Sequence, residues 1–147
     1  MRNLILFAAM AFGGAANAAD NCTIDLAGDD LMKFDKSAVT VSSTCPKITI
    51  NLTHVGKLPI NAMGHNVVIA PTDVYAAVAQ DGMTAGIEAS YVKPGDTRVV
   101  AFTKVVGGGE KTSTTFEGSK LTAGGKYTFF CSFPGHYAVM KGELVVQ

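Results

Sequence analysis

Residues Lys47-Ile48-Thr49-Ile50-Asn51-Leu52-Thr53-His54 alternate polar and apolar side chains through Thr53, with His54 in the next apolar place. A period of two places every second side chain on one face, so this run is a strand with one buried face and needs a second layer to cover it. Other short β-rich runs flank it: Val39–Val41, Asn66–Ala70, Thr97–Phe102, Lys111–Phe116, Lys126–Cys131 and Met140–Val146. Gly56, Lys93–Asp96, Gly107–Gly109 and Ala123–Gly125 supply the turns between them. Short strands separated by turn residues predict an all-β sandwich or barrel. One segment departs from this pattern. Pro71–Gln80 is alanine-rich behind a Thr72-Asp73 start, which predicts a short helical insertion near 72–80. The Gly107–Gly109 run lacks a following Lys-Ser/Thr, so it reads as a hairpin turn and not a phosphate cradle.

Chemistry concentrates near the end of the chain, in Cys131-Ser-Phe-Pro-Gly-His136-Tyr-Ala-Val-Met140. A thiolate, an imidazole and a thioether spaced C-x4-H-x3-M form a soft donor set, suited to copper with a weak axial Met. The Pro134-Gly135 turn can aim Cys131 and His136 at one point. A trigonal site needs one more imidazole, and Met63-Gly64-His65-Asn66 offers His65. Zn(II) accepts the same Cys and His donors. A Cys–His nucleophilic pair fits less well, because nothing suggests an orienting acid and Met140 would have no role.

The first residues carry one positive charge at Arg2, a short apolar run from Leu4 to Phe12, and small residues ending in Ala16-Asn17-Ala18-Ala19. This is the pattern of a secretory signal peptide, residues 1–19, cleaved after Ala18 or Ala19. The run is too short for a membrane span, and no other segment predicts membrane insertion. Export points to a periplasm. Residues 20–147 are enough for a single domain. In an oxidising compartment, Cys22 and Cys45 are the natural disulfide, which leaves Cys131 for chemistry. The alternative pairs one of them with Cys131. Loss of Arg2 leaves a formal charge near −1, which argues against nucleic-acid binding.

With these residues in view, the chain resembles the azurins, bacterial type 1 blue-copper proteins of the cupredoxin family. The resemblance spans nearly all of residues 20–147. It rests on Cys22 and Cys45, Asn51–His54, Met63–Asn66, Asp81-Gly82-Met83, Gly109-Glu110-Lys111, Leu121 and, most specifically, Phe129–His136. It implies a cupredoxin-like Greek-key β-sandwich of eight strands with one helical insertion. It implies one copper ion cycling Cu(II)/Cu(I), with His65, Cys131 and His136 as trigonal ligands and Met140 as axial ligand. The Gly64 carbonyl would lie on the opposite side. Asn66 would tie the two ligand loops together, and Cys22–Cys45 would match the family disulfide. Many members carry Trp after Asn66; here Val67 follows, and the chain has no Trp.

The implied function is electron transfer between redox proteins, such as c-type cytochromes and periplasmic reductases or oxidases, by a monomer that docks transiently. The docking surface would be an apolar patch around His136, formed by Met32, Leu58, Ala62, Met63, Met83, Phe133, Pro134, Gly135, Ala138 and Val139. His54 is either a satisfied core histidine or a redox-linked proton site. A copper nitrite-reductase-like enzyme would need further histidines, and the chain has three in all. A copper store or chaperone would use open, exposed Met or Cys motifs. A closed Cys-His-His-Met set suits a carrier without substrate turnover.

Overall fold

The computed structural model describes residues 21–147; the leader expected at 1–19 lies outside the described residues. Among the described residues, eight strands form two sheets. A three-stranded sheet has the order β1 (Thr23–Gly28), β3 (Lys47–His54), β6 (Lys111–Glu117). A five-stranded sheet has the order β2 (Ala38–Val41), β8 (Lys141–Val146), β7 (Lys126–Phe130), β4 (Val68–Pro71), β5 (Ala101–Phe102). Two of the pairings, β1 with β3 and β2 with β8, are parallel.

The alternation of β3 does what its period requires. Ile48, Ile50, Leu52 and His54 point inward and are fully buried. They meet Ile24 and Leu26 of β1 and, from the other sheet, Val41, Ile69, Phe129 and Leu144. That shared core makes the molecule a sandwich. The strand β1 has the same signature, with Ile24, Leu26 and Gly28 buried in alternation, but its six residues follow directly on Cys22 and were not expected from the sequence.

The other face of the five-stranded sheet is also covered. A helix, α2 (Tyr75–Gly82), follows β4 and buries Val78 and Ala79 against Val68, Ala70 and Phe130. With both faces buried, β4 reads as a continuous apolar run and not an alternation. The helix starts later than the sequence suggests, because Pro71–Val74 is used as a turn closed by Val74 N–H donating to Pro71 O. A single helical turn, α1 (Ile60–Met63), precedes the Gly64–Asn66 segment. The strand expected over Thr97–Phe102 shortens to Ala101–Phe102. Arg98 instead folds back, donating to Asp96 at 2.6 and 2.8 Å and to Asp81 at 2.6 Å, and this clasp anchors the insertion.

Cys22 and Cys45 form a disulfide. It closes a separation of 23 residues between the start of β1 and the loop before β3. A loop of this size constrains the unfolded chain by roughly 3 kcal/mol in the chain-entropy view. No helix among the described residues is long and apolar enough to cross a membrane.

Candidate metal centre

Strand register brings the two ligand-bearing segments together. In the antiparallel pair of β4 and β7, Val68 lies opposite Phe130. Continued two residues past the strand ends, that register sets Asn66 beside Ser132, and the hydrogen bonds confirm it. Asn66 Oδ1 accepts from the Ser132 backbone N–H at 2.9 Å, and Asn66 Nδ2 donates to Ser132 Oγ at 2.9 Å. His65, one residue earlier, is held by Val106: each donates its N–H to the other's carbonyl, at 3.0 and 2.9 Å. The loop 131–140 is closed at its base where β7 meets β8, with Cys131 N–H donating to Met140 O at 3.0 Å. Inside it, the N–H groups of Val139 and Met140 both donate to His136 O, at 3.0 and 2.8 Å.

The result is a buried cluster. One donor atom each from His65, Cys131 and His136 lies within 4.8 Å of the other two. Cys131 Sγ is 3.9 Å from His65 Nδ1 and 3.6 Å from His136 Nδ1. Metal–sulfur bonds of about 2.3 Å and metal–nitrogen bonds of about 2.0 Å in a trigonal plane require a separation of roughly 3.7 Å, so the spacing fits a metal ion between the three. The imidazoles are also correctly turned. His65 Nε2 lies 2.7 Å from the Asp29 carbonyl, which sets that nitrogen as the N–H and leaves Nδ1 with a free lone pair toward the sulfur. The Gly64 carbonyl oxygen faces the cluster, 3.9 Å from Cys131 Sγ. Met140 is fully buried. A Cβ on Gly28 would lie 2.8 Å from both the Met140 methyl and the His65 ring, so only glycine at the end of β1 leaves room for the two.

Burial dominates the electrostatics. It pushes the Cys131 thiol up to about 12, although the backbone N–H groups of Asn66 and Phe133 point at the sulfur and offset part of the rise. His136 is pushed down to about 4, first by burial and then by the neighbouring His65 and His54. His65 is lowered too, chiefly by burial. The pocket therefore presents neutral imidazoles, and its thiol gives up a proton only when a cation takes the proton's place.

These shifts set an acid dependence for the metal-free protein. Its unfolded chain takes a proton at His136 near pH 6.5, while the folded chain resists until about pH 4. Stability is therefore full above pH 6.5, falls between 6.5 and 4, and levels below. The loss from this group is on the order of 3 kcal/mol. Urea unfolding of metal-free protein across that window is the measurement. A flat profile would show that His136 ionises freely in the folded state.

His54 stacks on His65, with ring centres 4.3 Å apart. Gly56 N–H donates to its Nδ1 at 3.1 Å, and its Nε2 lies 2.7 Å from Met63 O. Both nitrogens are satisfied, so His54 has the bonding of a core histidine that backs the cluster. Of the apolar residues expected to form a docking patch, Met32, Leu58, Met83, Pro134, Ala138 and Val139 are exposed, and Met63 is half-buried. Phe133 is largely buried, 9% exposed, its ring 4.7 Å from that of His136. Leu31 and Val55 add to the exposed apolar surface and were not expected. Asp30 joins the two loops that carry them by accepting the N–H groups of Lys57 and Leu58.

Sequence reasoning also missed Ser132, Val106 and Ser90. The Ser90 carbonyl accepts from Asn66 Nδ2 at 2.8 Å and from Ser132 Oγ at 3.0 Å. No residue type signals such roles, because the bonding groups belong largely to the backbone.

Comparison with known proteins adds a history to this geometry. Residues 20–147 match the model of the family described as copper binding proteins, plastocyanin/azurin family. The chain is 56% identical to an azurin of Bordetella pertussis over 137 residues, which is 93% of this chain and 91% of that protein. It is 44% identical to an azurin of Pseudomonas aeruginosa over 147 residues, covering 100% of this chain and 99% of the other. Among solved structures, an azurin from the obligate methylotroph Methylomonas sp. strain J superimposes with a TM-score of 0.82 at 40% identity, covering 86% of this chain and 98% of that one.

Proposed function

The chain belongs to the plastocyanin/azurin family of copper-binding proteins, and we propose that His65, Cys131 and His136 would hold its copper, with Met140 and the Gly64 carbonyl as further, weaker donors. Electron transfer on copper is its activity. The observation that carries the ligand assignment is the convergence of three donor atoms within 4.8 Å in a buried pocket. Cys131 is also the one cysteine outside the disulfide.

Bound copper supplies the one-electron couple Cu(II)/Cu(I). The chain's own residues would hold the donors in one arrangement in both states. Strand ends hold His65 and Cys131, a closed loop holds His136 and Met140, and Asn66 ties the two segments. Neutral imidazoles and a single thiolate are a compromise between the harder donors Cu(II) prefers and the softer ones Cu(I) prefers. The apolar walls exclude water, so little solvent reorganises when the charge changes.

In this reading residues 1–19 are a leader that directs export to the periplasm, and residues 20–147 are one copper-binding domain. The protein works as a monomeric carrier without substrate turnover. Its partners are redox proteins such as c-type cytochromes and periplasmic reductases or oxidases. They dock at the apolar rim around His136, over the small area typical of brief redox encounters. His136 keeps 4% of its surface exposed and lies in the same loop as the exposed Pro134, Ala138 and Val139, which supports its ring as the near-surface edge of the site.

The rim predicts a charge effect. Met63→Lys or Met83→Glu places an uncompensated charge in a contact that must lose water. A penalty of roughly 1.4 kcal/mol slows exchange about tenfold. Self-exchange rates of the copper-loaded protein, by NMR line broadening, are compared with Thr114→Lys on β6 as the distant control. Equal rates in all three would place the electron exit elsewhere.

A further inference from the structure

Ser90 lies outside the ligand loops, in the insertion, and its backbone has a conformation that most residues avoid. Its φ and ψ are 55° and 31°, and Tyr91 follows with a φ of 51°. In the left-handed region Cβ crowds the following carbonyl oxygen, and neither residue is the glycine or asparagine usually found there. A bend of this kind persists only where its surroundings over-determine it. Here they do. Ser90 N–H donates to Ile87 O at 2.8 Å and Tyr91 N–H to Gly86 O at 2.9 Å. Gly82 at the end of α2 packs so closely that a Cβ there would collide with the Tyr91 carbonyl oxygen.

The bend turns Ser90 into the core, 5% exposed. Its carbonyl oxygen then accepts two hydrogen bonds, from Asn66 Nδ2 and Ser132 Oγ. These are the residues that follow His65 and Cys131. Its hydroxyl oxygen accepts the N–H of Val105 at 3.3 Å, next to Val106, which pairs with the His65 backbone. One residue of the insertion thus touches all three segments that frame His65 and Cys131.

We propose that Ser90 is a positioning residue for the copper site: its left-handed carbonyl clamps Asn66 and Ser132, and so fixes the Cys131 sulfur relative to His65. The inference rests on the copper assignment above. If the carbonyl swings away, Asn66 Nδ2 and Ser132 Oγ each lose one acceptor and are left with their bonds to each other, at 2.9 and 3.3 Å, so the pair is free to shift. Asn66 belongs to that pair, and its backbone N–H is one of the two that point at the sulfur. Weaker hydrogen bonding leaves the sulfur a stronger electron donor, which favours Cu(II) and lowers the reduction potential.

The test compares Ser90→Gly, Ser90→Ala and Ser90→Val in the copper-loaded mature protein, with Val78→Ala as the control. Glycine enters the left-handed region without strain and keeps the carbonyl, so Ser90→Gly should retain the wild-type absorption maximum and potential. Alanine keeps the Cβ that crowds the bend but loses the hydroxyl that ties it to Val105, and β-branched valine crowds it further, so both should shift the two readouts, with the potential lower. Val78→Ala opens a cavity under α2, so it should lower thermal stability and leave both readouts unchanged. If Ser90→Val does not fold, Ser90→Ala against Ser90→Gly makes the same comparison. Hydrogen exchange at the Ser132 amide in metal-free protein gives a readout independent of copper: faster in Ser90→Ala, unchanged in Val78→Ala. Folded alanine or valine variants with wild-type absorption, potential and exchange overturn the clamp alone. A shift in the control equal to that of Ser90→Ala also overturns it. Wild-type protein that takes up Cu(II) without intense absorption overturns the copper assignment, and the clamp with it.

Discussion

Cys131→Ser protein should take up Cu(II) without the intense thiolate-to-copper absorption that the wild-type protein develops. The thiol sits in a pocket where burial pushes its pKa to about 12, so an ion that binds there must displace the proton. A soft thiolate bonded to copper can do this, because the bond it forms repays the loss of the proton. A serine hydroxyl is harder and far less acidic, and the same burial raises it further. His65 and His136 remain, so copper still binds through two imidazoles, but more weakly and without the sulfur orbital that gives the colour. Leaving a less well-bonded hydroxyl in place of a fully buried thiol also costs stability, about 1–3 kcal/mol. Titration with Cu(II) followed in the visible range decides the matter. An intense band that survives the substitution would remove Cys131 from the site.

Gly28→Ala should disturb the site from the opposite side. Gly28 ends β1, opposite His54 in the parallel pair with β3. The added methyl carbon would stand 2.8 Å from the His65 ring and 2.8 Å from the Met140 methyl. The His65 ring has nowhere to retreat: its Nε2 is bonded to the Asp29 carbonyl and its face is stacked on His54. Met140 is unbranched and turns more easily, but it is fully buried, so its methyl end must shift within the packed core. Overpacking of this kind costs about 1–3 kcal/mol, and displacement of the donor proposed at Met140 should change the reduction potential. Thermal unfolding and potentiometry measure the two effects. A variant with wild-type stability and potential would show that the space beside Gly28 is not shared with the site.

Both results test parts of the molecule that were unequally visible in the chain. Cys131, His136 and Met140 share one short loop, and their donor chemistry can be read from residue type and spacing alone. The Lys47–His54 strand was equally legible, because a period of two survives wherever one face is buried and the other is not. Legibility failed where that condition failed. β4 is buried on both faces and shows only an apolar run. The expected strand at 97–102 lost all but its last two residues, with Arg98 clasped on Asp81 and Asp96 instead, an ion-pair network that reaches across to the insertion.

The identity of the donors, the strand phase of β3 and the supply of cysteines were determined by the sequence alone, since each depends on side-chain chemistry or on neighbours along the chain. The tertiary structure decided how far His65 Nδ1 lies from Cys131 Sγ, across 66 residues. It also decided that Gly28 matters for the Cβ it lacks, and that Ser90 matters for its carbonyl. A missing atom and a backbone oxygen have no residue-type signature. Their effect exists only once strand register and packing bring distant segments within bonding distance.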